Sequence, residues 1–432
     1  MVRSRSVSIL AAAALALALQ LSAAGGPAHA AVAGLGSMPL TPGRLSAIAS
    51  AVDKQSRSFS GVRAIPRQKR LEIYYPQPES AVTDLAGSMR MINRAADQGT
   101  SPPTGQQWTV TLVPATYSLF ELQSVLAQIP TAQPWASLAG PLLASWGIDV
   151  AANRVDVGLT QVTPTLTAAA VRQFGGSVEL QQQARPRSEL RRVARSTSTP
   201  APASESCSDL FDCAPYSAGD RIVSQQGYYN ISCTAGFAAE ATSGQVGMLS
   251  AAHCGSNGTA WYQGYVDSAN QIYASGLLGE TIQQTFGGAG DYELEDATAY
   301  GSRVQGYVWA GAGRYPVTAL AYSISGYDAC VDGSFSGENC SGRIGNVDEC
   351  INEIIDGSVT TICNVVEITS TNGQVECRTG DSGGPVFDLN ANGTVDAQGI
   401  IDAGVDNAEG EAATCYYTDI VHLASNLLLL AG

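Results

Sequence analysis

Residues 206–432 predict an all-β domain, a barrel or sandwich closed by a terminal helix, with a 31–180 region ahead of it that carries a small α/β domain over residues 71–180. Three observations carry this. The C-terminal half breaks into short alternating stretches between glycine-rich turns. Clear helical spacing is concentrated before residue 180. All ten cysteines lie at or after position 207, so the two parts differ in how they are held together.

Residues 1–30 read as a secretory signal. Arg3 and Arg5 open it, Ile9 to Leu21 is apolar, and Ala28-His29-Ala30 supplies small residues for cleavage. The apolar run is short for a membrane span. The 31–70 stretch, rich in Ala, Gly, Ser and Pro and then basic at Arg63, Arg67, Lys69 and Arg70, reads as a poorly ordered lead-in. Trp108 to Val113 alternates as a strand. Ser118 is placed to cap a helix carrying Leu119, Leu122, Val125, Leu126 and Ile129. Arg154 to Leu159 alternates again. Thr165 to Phe174 suits a second helix, and Ser177 to Leu180 a short strand.

Residues 181–205 read as an exposed linker. Three glutamines are followed by Arg185, Arg187, Arg191, Arg192 and Arg195, then by a Ser/Thr/Pro/Ala run. Five arginines between a cysteine-free part and a cysteine-rich part favour a processing site over an inert spacer. Beyond it, Arg221–Val223, Val246–Ser250, Gln305–Trp309, Val365–Thr369 and Gly399–Ile401 read as strands. Ile420 to Leu430 reads as the terminal helix.

Charge divides the chain at the same place. Residues 1–200 carry 18 Lys+Arg and 10 Asp+Glu; residues 201–432 carry 5 and 28, with no lysine. Such an acidic surface disfavours nucleic acid and anionic membranes as partners and suits a basic N-terminal one. Ten cysteines in one half of an exported chain imply disulfides. Histidine is scarce and no CxxC spacing occurs, so no metal and no cofactor are expected.

Two segments carry chemistry. In Gly380-Asp381-Ser382-Gly383-Gly384-Pro385, glycines free the backbone around a serine. A serine hydroxyl needs a base and nearby donors to act as a nucleophile. The Gly380 and Ser382 N–H groups are the donors expected here. In Leu249-Ser250-Ala251-Ala252-His253-Cys254, His253 is the natural base. Of the three histidines, His29 leaves with the signal and His422 sits in the terminal stretch.

These segments resemble the signatures of chymotrypsin-like serine proteases. Cys233-Thr234-Ala235-Gly236-Phe237 is similar to the bacterial secreted branch, that of streptogrisins and alpha-lytic protease. So is the Cys330 to Cys340 loop. Cys207 and Cys213 before Ala214-Pro215-Tyr216 resemble the start of related mature domains. The resemblance covers residues 207–432. It implies two six-stranded β-barrels with the site between them, and a triad in the order His, Asp, Ser. Asp291 is the preferred acid and Asp296 its rival. It also implies pairs Cys233–Cys254, Cys377–Cys415, Cys330–Cys340, Cys350–Cys363 and Cys207–Cys213. The expected protein is a secreted serine endopeptidase made as a zymogen. Its partners would be peptide or protein substrates and its own pro-region, and it would be a monomer after processing.

Some features depart from the pattern. Arg221-Ile222-Val223 resembles an activation site but reads here as a first strand. Asp381 then needs a cation from Arg221, Arg303, Arg314, Arg343 or Arg378. Asp402, in Gly399-Ile400-Ile401-Asp402-Ala403-Gly404, stands where the family usually has serine. An added carboxylate there would perturb His253 or favour a basic substrate residue. Asp402, Gly404 and Glu376 are the expected substrate-binding positions. The acidic Cys350 to Cys363 loop has no assigned role. The competing expectation is a catalytically silent homologue acting as a binding module. A lipase or esterase elbow fits poorly, because the histidine precedes the serine.

Overall fold

The computed structural model describes residues 32–77, 106–188, 191–195, 214–266, 271–300, 303–311, 313–406, 411–423 and 425–432. The expected signal and the Cys207–Cys213 pair lie outside the described residues.

The N-terminal part holds two α/β layers. In the first, four strands lie in the order Val32–Leu40, Gln106–Ala115, Arg70–Pro76, Gly61–Ile65. The helix Pro42–Asp53 covers them, with Leu45, Ile48 and Val52 buried against Ile73, Trp108 and Val110. In the second, Leu143–Asp149, Arg154–Leu159 and Val178–Gln182 form a sheet beside the helices Leu119–Gln128 and Pro164–Phe174. The cap expected at Ser118 is a full capping box. Ser118 Oγ accepts from Glu121 N at 3.2 Å, and Glu121 Oε2 accepts from Ser118 N at 2.7 Å. Ser118→Ala is expected to destabilise this layer by about 1 kcal/mol. Chemical denaturation monitored by far-UV circular dichroism checks it.

The C-terminal part is all-β, as expected, and has two lobes. In the first, strands run in the order Ala238–Ala241, Val246–Ser250, Gly290–Asp296, Ile272–Gly287, Ala260–Val266, Arg221–Gln226, Tyr229–Thr234. Ile222, Phe237, Leu249, Trp261 and Leu294 form its core. The second lobe is a closed ring of six. Asp328–Gly333 pairs with Gly337–Ile344, then Ser358–Ser370, Glu411–Asp419, Val395–Asp406 and Pro385–Leu389, which returns to the first. Closure leaves no free edge among these strands. Four of the expected disulfides are formed: Cys233–Cys254, Cys330–Cys340, Cys350–Cys363 and Cys377–Cys415.

Three expectations are corrected. The terminal stretch is not a helix. Ile420–His422 makes one 3₁₀ turn, and Leu427–Leu429 is a strand pairing with Ala239–Ala241. A short leucine run fits either period, and the open edge of the first lobe decides between them. The 181–205 segment is not a free spacer over its described part. Arg187–Ser188 lies between Val347–Ile355 and Val395–Asp406, and Arg191–Ala194 pairs antiparallel with Tyr229–Ser232. The Cys350–Cys363 loop is a long β-hairpin, Val347–Ile355 and Ser358–Ser370. Its outer strand takes Leu143–Asp149 as a neighbour, so the N-terminal sheet continues into the second lobe. Cys350 is buried there with Trp146, Ile148 and Val157.

Candidate active site

The strand Val246–Ser250 runs into a single 3₁₀ turn, Ala252–Cys254, which carries His253. The Cys254–Cys233 bond ties that turn to the strand Tyr229–Thr234. Asp291 is the second residue of Gly290–Asp296 and has 0% side-chain exposure. One of its oxygens accepts from His253 N at 2.9 Å, and the other meets the ring Nδ1 in a short contact. Two bonds from one carboxylate fix both the turn and the ring. Gly290 has φ +122°, and a Cβ there would lie 2.9 Å from Thr418 Cγ2, so the entry to this strand requires glycine. The rival Asp296 sits at the strand's far end and accepts from Thr298 N at 2.9 Å. It is a local turn acceptor there, not the partner of His253.

Burial acts to lower the His253 pKa. The Asp291 charge and hydrogen bond outweigh it, helped by Glu353 and Glu293, and hold it at about 9. Burial likewise raises Asp291, but the imidazolium overcomes this and its pKa falls below the usual value.

Ser382 lies in the turn between Gly380, φ +104°, and Gly383, φ +91°. A Cβ on Gly383 would fall 2.3 Å from both Ser250 Oγ and the Thr234 carbonyl. The serine turn and the strand that leads to the histidine therefore approach through that glycine. Among the described residues, no backbone carbonyl takes the Gly380 or Ser382 N–H. Ser382 Oγ is 3.5 Å from the Asp402 carbonyl, and His253 Nε2 has no hydrogen-bond partner among the described residues. The serine and the imidazole are thus adjacent in the fold but not yet joined.

Asp381 is buried and accepts N–H bonds from Phe335, Ser336 and Arg378 at 2.8, 3.2 and 2.7 Å. No guanidinium among the described residues makes an ion-pair contact with it; the cations whose charge acts on it are Arg221, from the expected set, and Arg191, from the expected linker. Both guanidiniums stack on the Phe335 ring, at 4.1 and 4.3 Å from its centroid, and both attract Asp381. Arg343 and Arg378 are engaged elsewhere, with Asp328 and with Glu411.

The cleft beside Ser382 is walled by Cys377, Thr379, Asp402 and Gly404. Of the expected substrate-binding positions, Gly404 and Asp402 line this cleft. Glu376 does not: it is buried in the second lobe, accepts from Asn339 Nδ2 at 2.9 Å, and is pushed up to about 8 by burial. The cleft is already occupied. Arg187 pairs antiparallel with Gly404, and Ser188 Oγ donates to the Asp402 carbonyl at 2.6 Å. Sequence reasoning missed Arg191, Ser188 and Glu353. The last is fully buried and within reach of His253 and Asp402. No local spacing marks any of the three.

No family model matches the chain, and no curated protein does. Solved structures do. A Nocardiopsis protease and Thermobifida fusca protease A each share 24% identity over 50% of this chain and 98% of theirs, with a TM-score of 0.38. Cellulomonas bogoriensis chymotrypsin shares 22% over 50% and 98%, with a TM-score of 0.37. Over half its length, the chain is similar to bacterial chymotrypsin-like serine proteases.

Proposed function

We propose that the chain is the precursor of an exported serine endopeptidase, seen with its own N-terminal part closing the cleft. The buried His253–Asp291 pair, set beside the Gly380–Ser382 turn, carries this reading. Four disulfides among the described residues suit an oxidising compartment.

In the reaction, His253 Nε2 takes the Ser382 proton as Oγ bonds to the scissile carbonyl carbon. The carbonyl electron pair moves onto oxygen, where the Gly380 and Ser382 N–H groups hold it. Collapse expels the amine, which leaves with the proton from His253. Water then attacks the acyl-enzyme by the same route, and the acid departs. Asp291 keeps the proton-bearing Nδ1 facing inward and balances the imidazolium.

Three features fit a resting precursor. Arg187–Ser188 lies along the wall strand where a substrate strand would pair. His253 Nε2 and Ser382 are not bonded. Against burial, the charges of Asp291, Glu353 and Glu293 raise the His253 pKa, which favours the imidazolium over the free base. Residues 31–180 serve as the pro-region, held through the Val347–Ser370 hairpin.

A fluorophosphonate probe tests the reading. The full chain is expected to label slowly. Cleavage within residues 181–205 is expected to raise the labelling rate by about tenfold or more, and Ser382→Ala to abolish it. The unmade Ser382–His253 bond is the one observation that favours a silent binding module. A folded, cleaved chain that never labels would establish that alternative.

A further inference from the structure

Two carboxyl groups converge on one ring nitrogen. Asp291 meets His253 Nδ1 directly, and Asp402 Oδ1 stands 3.8 Å from the same atom. The histidine and both aspartates have 0% side-chain exposure. Asp402 lies within hydrogen-bonding reach of both Asp291 and Glu353. Glu353, from the hairpin, is buried in the same space.

One imidazolium cannot balance all of these as anions. The groups facing it are Asp291 and Glu293 from one strand, Asp402 from the wall strand and Glu353 from the hairpin. Every one is acidic. Neither oxygen of Asp402 has a donor among the described residues. A buried carboxylate with no donor is costly, and two carboxylates this close do not both ionise. Protonation removes the conflict and makes Asp402 itself a donor to a neighbouring carboxylate.

We propose that Asp402 is a neutral carboxylic acid that donates its O–H to the Asp291 carboxylate, making it a positioning residue for the Asp291–His253 pair. Burial first, then Glu353 and Asp291, drives its pKa well above the carboxylate range, while His253 keeps Asp291 low. The wall strand thus couples to the ring twice: its backbone at Asp402 holds the cleft segment, and its side chain steadies the acid behind the histidine. This assignment rests on the catalytic reading of His253, Asp291 and Ser382.

Processed enzyme tests it, after fluorophosphonate labelling has established that Ser382 reacts. The readout is the acid limb of the kcat/KM–pH profile. Asp402→Asn keeps shape, neutrality and a donor, so its limb is expected within about 0.3 unit of wild type. Asp402→Ala and Asp402→Ser weaken or lose the donor. Asp291 then acts more strongly on the ring, the imidazole pKa rises, and the limb moves to higher pH. For Asp402→Ala, kcat/KM near neutrality is expected to fall about tenfold. An ionised Asp402 gives the opposite sign: removing its charge lowers the imidazole pKa, so Asp402→Asn would move the limb down by about one unit or more. That result overturns the proposal. So does tight zinc binding by the folded chain that Asp402→Asn abolishes, because His253, Glu353 and Asp402 would then hold a cation in place of a proton. If wild type never labels, the catalytic reading has failed first.

Discussion

Asp291→Asn in the processed enzyme is expected to lower kcat by about 10⁴-fold with the fold intact. An asparagine amide turned toward the ring presents N–H₂ where Nδ1–H needs an acceptor, and the proton is driven to Nε2, the atom that must take it from Ser382. The amide oxygen can still accept from the His253 backbone N–H, so the turn is held while the ring loses its acceptor. Asp296→Asn is the matched control. It lies five residues along the same strand and only caps Thr298, so kcat is expected to stay within about twofold. Steady-state kinetics on a small peptide substrate, with circular dichroism as the folding check, decides between them. Equal losses in the two variants would sink the assignment of Asp291.

Raising pH from 5.5 to 9 is expected to lower the melting temperature of the uncleaved chain by about 5 °C or more. Burial raises Glu353 and Glu367 to about 7, Glu376 to about 8 and Asp388 to about 7. A group raised in the folded state contributes stability that is full below its unfolded pKa, near 4 for these carboxyls, and is lost as pH climbs through the folded value. His253 acts in the same direction: its contribution is full below 6.5 and lost through about 9. Asp291 is lowered, so its contribution disappears only as pH falls below the ordinary carboxylate range, outside this window. Glu353 and Glu367 both sit on the hairpin that joins the N-terminal sheet to the second lobe. Charging them stresses that junction first. Scanning calorimetry across the window checks the direction, and a flat or rising melting temperature would refute it. Glu353→Gln with Glu367→Gln should flatten the dependence.

Much of this molecule is legible locally. Ser118 and Glu121 cap a helix three residues apart. Gly380 to Pro385 forms its turn through its own glycines, and His253 stands beside the cysteine that pins it. The choice between Asp291 and Asp296 is different. Both are buried on one strand, and only the register against the histidine turn separates them. Glu376 and Asp402 were equal as wall residues by position. Packing turned Glu376 into the second lobe toward Asn339 and left Asp402 in the cleft.

The sequence by itself determined the chemistry-bearing turns, the all-β C-terminal half and the break in charge near residue 200, because each depends on neighbours along the chain or on composition. Only the tertiary structure decided that Leu427–Leu429 is a strand, that Arg187–Ser188 fills the cleft, that Arg191 joins Arg221 beside Asp381, and that Glu353 and Asp402 crowd His253. Those outcomes depend on which sheet edge is open and which carboxyl loses its water. Both are set by residues tens to hundreds of positions away.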